Sequence, residues 1–293
     1  MDKTFTRKII ELDITLAKGL FSSGGSRKII RGLPCEVTID KPGPPNTNKA
    51  SIQITGLSYE DMDKLTTLAF KPLESQHNLI TVLAGEEGQG APSVAFAGEI
   101  SSATANFNSA PDVPMSIEAS SGEYPTQIAH DPLSVHDEAP AADLIAQFAA
   151  AAGYDFVNEG FTGALRNTLF TGSPLQKAKQ AAREAGADLI IDDGAMILMP
   201  MNGSRRGDPV LLAPRTGLIG YPTFDQDGIS CRCLYNPALR HNGLIRVESS
   251  SPHASGLWLI SRLSHNLSAF SPNGGQWESN FNATPAEEQV STI

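Results

Sequence analysis

The chain has 293 residues, 40% of them hydrophobic and 18% charged, enough for a packed core and incompatible with wholesale disorder. A formal net charge of −10 argues against a general nucleic-acid binder, which needs a basic face against phosphates, but does not exclude a passage that DNA slides through. Three cysteines cannot close a disulfide set, no apolar run approaches the ~18–20 residues of a membrane span, and the start MDKTFTRKII lacks a signal-like apolar segment, so reduced, intracellular synthesis is expected.

In chain order, a first strand is expected to begin near Phe5. There Ile10, Leu12, Ile14 and Leu16 alternate with Glu11, Asp13 and Thr15. Ser22-Ser23-Gly24-Gly25-Ser26 reads as a flexible loop. Arg27 to Asp40 is strand-like, with Ile29, Ile30, Leu33, Cys35, Val37 and Ile39 as its apolar set, and Pro42-Gly43-Pro44-Pro45 ends it. Asn48 to Leu57 alternates again, with Ala50, Ile52 and Ile54 inward. Ser58 is an N-cap, Glu60 and Asp61 suit the helix dipole, and Met62, Leu65, Leu68 and Ala69 predict a short amphipathic helix. Strands are expected at Asn78–Ala84 and Ser93–Ser101, then a hairpin of Ala103–Ser109 with Val113–Ala119.

Composition shifts after Tyr124 into a polar connector carrying His130-Asp131-Pro132 and His136-Asp137. Ala141 to Ala152 reads as an alanine-rich helix stopped by Gly153, with Leu144, Ile145 and Phe148 on one face. A short strand at Asp155–Asn158 follows. Ser173-Pro174-Leu175-Gln176 starts a second helix with Ser as N-cap, Pro at the first position and Gln at the third, ending at Gly186. Asp188–Asp192 and Ala195–Pro200 pair across Asp193-Gly194. Arg205–Asp208 is a polar linker.

The chain then returns to β. In Thr216–Ser249, Ile229, Cys231, Cys233 and Tyr235 share one strand face after a turn at Asp227-Gly228; a second turn is expected at His241-Asn242-Gly243. Leu257 to Leu267 alternates, with Leu257, Leu259, Ser261 and Leu263 against Trp258, Ile260 and Arg262. Ala286–Ile293 is a polar tail expected to fray. The fold class expected is α+β and predominantly β, with units at residues 1–124, 125–204 and 205–285 and a tail at 286–293.

The search for chemistry is mostly negative. The histidines, His77, His130, His136, His241, His253 and His265, form no H-x-x-x-H or H-E-x-x-H spacing. His130 and His136 read as solvated loop residues. Cys231-x-Cys233 with nearby His241 reads as a strand face plus a turn, for want of a fourth ligand. No G-x-S-x-G elbow exists, and Ser22 to Lys28 lacks the G-K-[ST] order of a phosphate loop. The carboxylate pairs Glu86-Glu87, Asp192-Asp193 and Asp225/Asp227 lie in expected turns, not in the apolar pocket that acid catalysis needs. Arg205-Arg206 and Arg240-His241 read as solubilising loop clusters. No catalytic, cofactor-binding or metal residue is expected; the pattern suits an assembly component.

Three stretches resemble the hub proteins of tailed-bacteriophage baseplates, the group that includes late control protein D and the hub-like part of type VI secretion spikes. One is Gly217-x-x-Gly220-x-Pro222-x-Phe224-x-x-x-Gly228 with the strand that ends Leu234-Tyr235-Asn236-Pro237. Another is Asn46 to Leu57 followed by a helix, and the third is Leu257–Leu267 returning through Gly274-Gly275-Gln276-Trp277. The resemblance implies two tail-tube-like β-barrels flanking a small α/β insert. It further implies a homotrimeric ring of pseudo-sixfold symmetry joining a hexameric tail tube to a trimeric spike or tail-tip protein. Other baseplate proteins and a tape measure protein would be neighbours, with DNA passing through the lumen unbound. No cofactor and no enzymatic activity are implied. The competing expectations are a distal-tail or tip binding protein, a monomeric binding module and a cell-wall-degrading tail enzyme.

Overall fold

The structure is a computed structural model that describes residues 6–66, 78–122, 130–271 and 274–286. Strand accounts for 48% and helix for 15%, so the fold is predominantly β with few helices. No helix among the described residues is long and apolar enough to cross a membrane.

The first segment contributes β1 (Lys8–Thr15), β2 (Arg27–Arg31), β3 (Cys35–Lys41), β4 (Lys49–Thr55), α1 (Tyr59–Leu65), β5 (Leu79–Glu86), β6 (Ser93–Ala105) and β7 (Pro114–Ser120). Its strands bury alternate residues as the period of two demands: Ile10, Leu12 and Ile14 from β1, and Ala50, Ile52 and Ile54 from β4. With Val82, Phe96, Met115 and Ile117 they build one core. Three expectations change here. Arg27 to Asp40 is two strands, turned at Gly32, and Ile29 faces outward. Ser93 to Ala105 is one long strand rather than two, carried past a register shift between Ile100 and Ser102. The Ser22 loop is tied down, with its hydroxyl donating to Asp61 Oδ1 at 2.9 Å while Lys28 pairs with the other carboxylate oxygen. Phe5, Leu68, Ala69 and His77 lie outside the described residues.

The middle segment holds β8 (Leu133–Val135), β9 (Ala139–Pro140), α2 (Ala141–Ala152), β10 (Asp155–Asn158), β11 (Ala164–Leu165), β12 (Thr168–Phe170), α3 (Pro174–Ala185), β13 (Ala187–Asp192) and β14 (Ala195–Pro200). α3 starts on the expected capping box, with Gln176 N donating to Ser173 Oγ at 3.2 Å and Gln176 Oε1 accepting from Ser173 N at 3.0 Å. The small sheet runs β10-β14-β13, with β10 parallel to β14. One face packs on α2 and α3 through Leu144, Phe148, Leu175, Met196 and Leu198. The opposite face carries a separate small cluster of Ile190, Ile197 and Met199.

The last segment holds β15 (Val210–Leu212), β16 (Leu218–Phe224), β17 (Ile229–Leu234), β18 (Leu244–Val247), β19 (Gly256–Ala269) and β20 (Trp277–Pro285). Ile229, Cys231 and Cys233 face a third core with Leu218, Ile245, Trp258, Ile260, Leu263 and Phe281. The turn at Asp227-Gly228 forms as expected, its NH groups donating to Asp225 Oδ1 at 3.0 and 2.8 Å. On β19 the expected alternation of Leu257, Leu259, Ser261 and Leu263 gives way: Trp258, Ile260, Leu263, His265, Leu267 and Ala269 are the buried set. A bulge between Ile260 and Arg262 inserts one residue and shifts the phase.

The first and last segments share one sheet of 13 strands, ordered β16-β17-β20-β19-β3-β4-β7-β6-β5-β1-β2, with β15 and β18 branching from β19. β19 joins them. Its first half faces the third core, and its second half, Leu263 to Ala269, pairs with Lys41 to Cys35 of β3 and sends Leu267 and Ala269 into the first core. β1 returns close to β19, yet no closed hydrogen-bonded barrel forms among the described residues.

Candidate functional site

The tightest cluster of charge lies where the three segments meet. Lys41 ends β3, and Asp192 and Asp193 open the β13–β14 turn. Asp193 (φ 49°) and Gly194 (φ 86°) are both left-handed, the geometry that an Asp-Gly two-residue hairpin provides. That turn points not into water but at the first sheet. Lys41 Nζ donates to Asp192 Oδ1 at 2.8 Å and to Asp193 Oδ2 at 2.9 Å. Asn48 Nδ2 donates to Asp192 Oδ1 and to the Ile191 carbonyl, each at 3.1 Å. From the last segment's side, Arg205 donates to Asp192 Oδ2 at 2.7 Å, and its backbone NH donates to the Asn242 carbonyl at 2.7 Å. The side chains of Lys41, Asp192 and Arg205 are 3%, 3% and 6% exposed, so each charge depends on the others for the solvation it has lost.

The electrostatics follow. Burial pushes the Asp192 carboxyl up, but Lys41 and Arg205 outweigh it and hold the group well below the usual carboxylate range. Asp193 goes the other way: burial and the Asp192 charge push it up to about 6 against the pull of Lys41. Burial works to lower the Lys41 amine, and its two carboxylates overcome that and raise it. Nearby, burial first and the Lys41 charge second depress His265 to about 3, so it sits neutral with Nδ1 2.8 Å from Ser279 Oγ. Its ring meets Tyr235 edge-on at 5.2 Å, and Tyr235 meets Trp277 at 5.4 Å.

A second contact fixes the middle segment to β6. The buried Glu99 accepts from Gly122 N at 3.0 Å and from the Tyr154 hydroxyl at 3.3 Å. Burial and then Glu99 raise the Tyr154 pKa.

Three expectations are corrected here. Arg205 is not a solubilising loop residue; it is buried in an ion pair. Asp192 is more than a turn former, because its hairpin tip is docked. His241 is likewise buried rather than at a loop tip: its ring packs against Gly43, where a Cβ would lie 2.0 Å from Nε2. Cys231 and Cys233 lie in the third core, and burial raises both thiols to about 12, which keeps them protonated. His130 Nδ1 stands 3.0 Å from the buried Lys177 amine, His136 Nε2 stands 3.3 Å from Ser134 Oγ, and His253 is exposed. Asp225 caps its turn by accepting from the Asp227 and Gly228 NH groups, and Glu86 pairs with Lys8. Arg206 and Arg240 are exposed. The structure therefore brings Asp192, Asp193 and Arg205 together and leaves the other candidates apart.

The profile of the family described as baseplate hub gp41 matches residues 10–272. No curated protein matches the sequence significantly. Among solved structures, the tail protein of Neisseria meningitidis MC58 superposes with a TM-score of 0.60 at 10% identity, over 94% of this chain and 96% of that one. The 43 kDa tail protein of prophage MuSo2 from Shewanella oneidensis gives 0.59 at 10%, over 94% and 96%. The Escherichia coli c3393 protein, a type VI secretion component described as structurally similar to the T4 tail proteins gp27 and gp5, gives 0.57 at 11%, over 94% and 77%. At such identities the likeness is one of fold. The family match spans most of the chain, and with it the protein belongs to the baseplate hub gp41 family, a structural component of the phage tail.

Proposed function

We propose that the chain is the hub that changes symmetry between a tail tube and a tail tip. Residues 1–124 and 205–285 each supply one tube-like wall, and residues 125–204 form an insert beside them. Three copies make a ring with six walls, matching a hexameric tube protein on one side and a trimeric spike or tip protein on the other. A tape measure protein and other baseplate proteins are its further neighbours, and DNA passes through the lumen. Synthesis is in the host cytoplasm, before incorporation into the virion.

One observation carries this: two separate cores, one from each end of the chain, sit along a single sheet and share β19. A polypeptide built that way presents two wall segments held in fixed relation, which is what a threefold object needs to meet a sixfold one. Net charge supports passage over retention of DNA, since three copies bring −10 each. The non-enzymatic role is supported by how the acidic groups are used, as ion-pair partners and turn caps rather than as a cleft acid.

The test is the symmetry of the assembled tail at this protein's position, by cryo-electron microscopy without imposed symmetry. Three copies around an open axis, each contributing two walls, are expected. A monomer with a closed receptor pocket and no axial hole would overturn the proposal and favour a tip binding protein.

A further inference from the structure

We infer that the groove between the β3–β4 loop and α3 is a docking site for an acidic, apolar-centred peptide segment of a neighbouring tail protein. Two cavities of about 320 and 1320 Å³ adjoin there and share Pro44, Asp188 and Met201. The smaller runs along α3 and is floored by apolar groups such as Ala182, Ile190 and Met201. The larger continues over the last segment past Arg246. Together they exceed the ~300–1,000 Å³ typical of small-molecule sites and suit an extended chain.

The chemistry of the rim selects the occupant. Lys179 and Arg183 lie four residues apart on α3, hence on one face one turn apart. Neither they nor Arg246, at the far end, has an ion-pair partner among the described residues, although the chain as a whole carries −10. The one carboxylate lining both cavities, Asp188, already accepts from Asn202 N at 3.0 Å. Met201, 60% exposed at the meeting of the two cavities, is an unbranched, adaptable apolar contact of the kind used on peptide-binding surfaces. Burial lowers the Lys179 amine, so an incoming carboxylate would meet a half-desolvated cation. Nucleic acid fits less well, because the smaller cavity is lined between its charged groups by proline, aliphatic and a few amide and hydroxyl side chains with no aromatic ring, and the one ring at the larger, His241, is buried, so neither offers an exposed ring for a base.

The partner's origin in the tail rests on the hub assignment; the groove itself does not. Purified full-length protein is therefore the material for the test, and either idea can fail alone. A random-peptide display library is selected against it, and enriched peptides are measured by fluorescence polarisation. Expected are peptides with Asp or Glu flanking aliphatic residues. Their affinity should fall about tenfold in Lys179→Glu/Arg183→Glu, the scale of two partly desolvated charge pairs, and hold in Lys64→Glu, a reversal on α1. Circular dichroism of the double variant shows that it folds; if it does not, Met201→Glu, at an exposed position, gives the same reading. No enrichment, or enriched peptides indifferent to these reversals, overturns the inference. So does tighter binding of oligothymidylate than of any peptide. A gain of about tenfold on ending the chain at residue 286 would assign the groove to the chain's own C-terminal stretch and likewise overturn it.

Discussion

Replacing Asp192 by Asn would leave Lys41 buried with Asp193 alone and Arg205 buried without its carboxylate. Breaking a buried pair in this way costs about 3–5 kcal/mol, more than the pair contributes over an apolar substitute, because it strands the remaining charge. Asp192→Asn is therefore expected to lower stability by that amount in chemical denaturation, whereas Arg166→Ala, removing an exposed pair with Glu138, is expected to change it by less than about 1 kcal/mol. The pH dependence separates the individual groups. Asp193 holds its proton more tightly folded than unfolded, so its contribution is full below about pH 4 and is lost as pH rises through about 6. His265 has the opposite sign: it contributes above about pH 6.5 and is lost as pH falls toward 3. The two oppose each other over one window, so the informative quantity is a difference between variants. Relative to Asp193→Asn, the natural chain is expected to gain stability from pH 7 to pH 4; relative to His265→Gln, it is expected to lose it. Flat differences in denaturation curves across that range would refute both assignments. These roles were only half legible in sequence. Asp193-Gly194 reads correctly as a turn, but local sequence does not say what a turn tip faces, and Arg205 stands in a run that looks like any polar linker.

At the scale of elements, local chemistry was readable and phase was not. The capping box at Ser173, the stop at Gly153 and the alternation in β1, β4 and β17 each depend on residues within a few positions, and they form as expected. The bulge in β19 cannot be seen that way, since one inserted residue reverses the faces and a period of two carries no marker for it. The pairing of β19 with β3 joins positions more than two hundred residues apart and leaves no local sign at all. Gly43 shows how such long-range packing constrains a single position. Its φ of +77° disfavours any side chain, and the His241 ring occupies the space a Cβ would take. Gly43→Ala is expected to cost about 1–3 kcal/mol. Adding His241→Ala should recover the steric part and leave the backbone part. A double-mutant cycle by thermal denaturation checks this, and additive effects would mean that the ring and the glycine are independent.

For the whole molecule, three cores meet at one set of charges. The middle segment is attached to the sheet by the Lys41–Asp192–Arg205 cluster and by Glu99 with Tyr154. The natural chain is expected to unfold in a single calorimetric transition. Lys41→Met should split off a lower-temperature transition as α2, α3 and their small sheet melt first; one undivided transition in the variant would show that the cluster does not couple the segments.

The shared strand has a mechanical consequence. Hydrogen bonds in an antiparallel ladder run across the strands, so tension along β19 and β3 loads the rungs from Leu263 to Ala269 together, as a lap joint does, and does not peel them one by one. A protein joined this way resists being drawn apart lengthwise far better than being prised open sideways, and single-molecule pulling along the two directions would give unequal rupture forces.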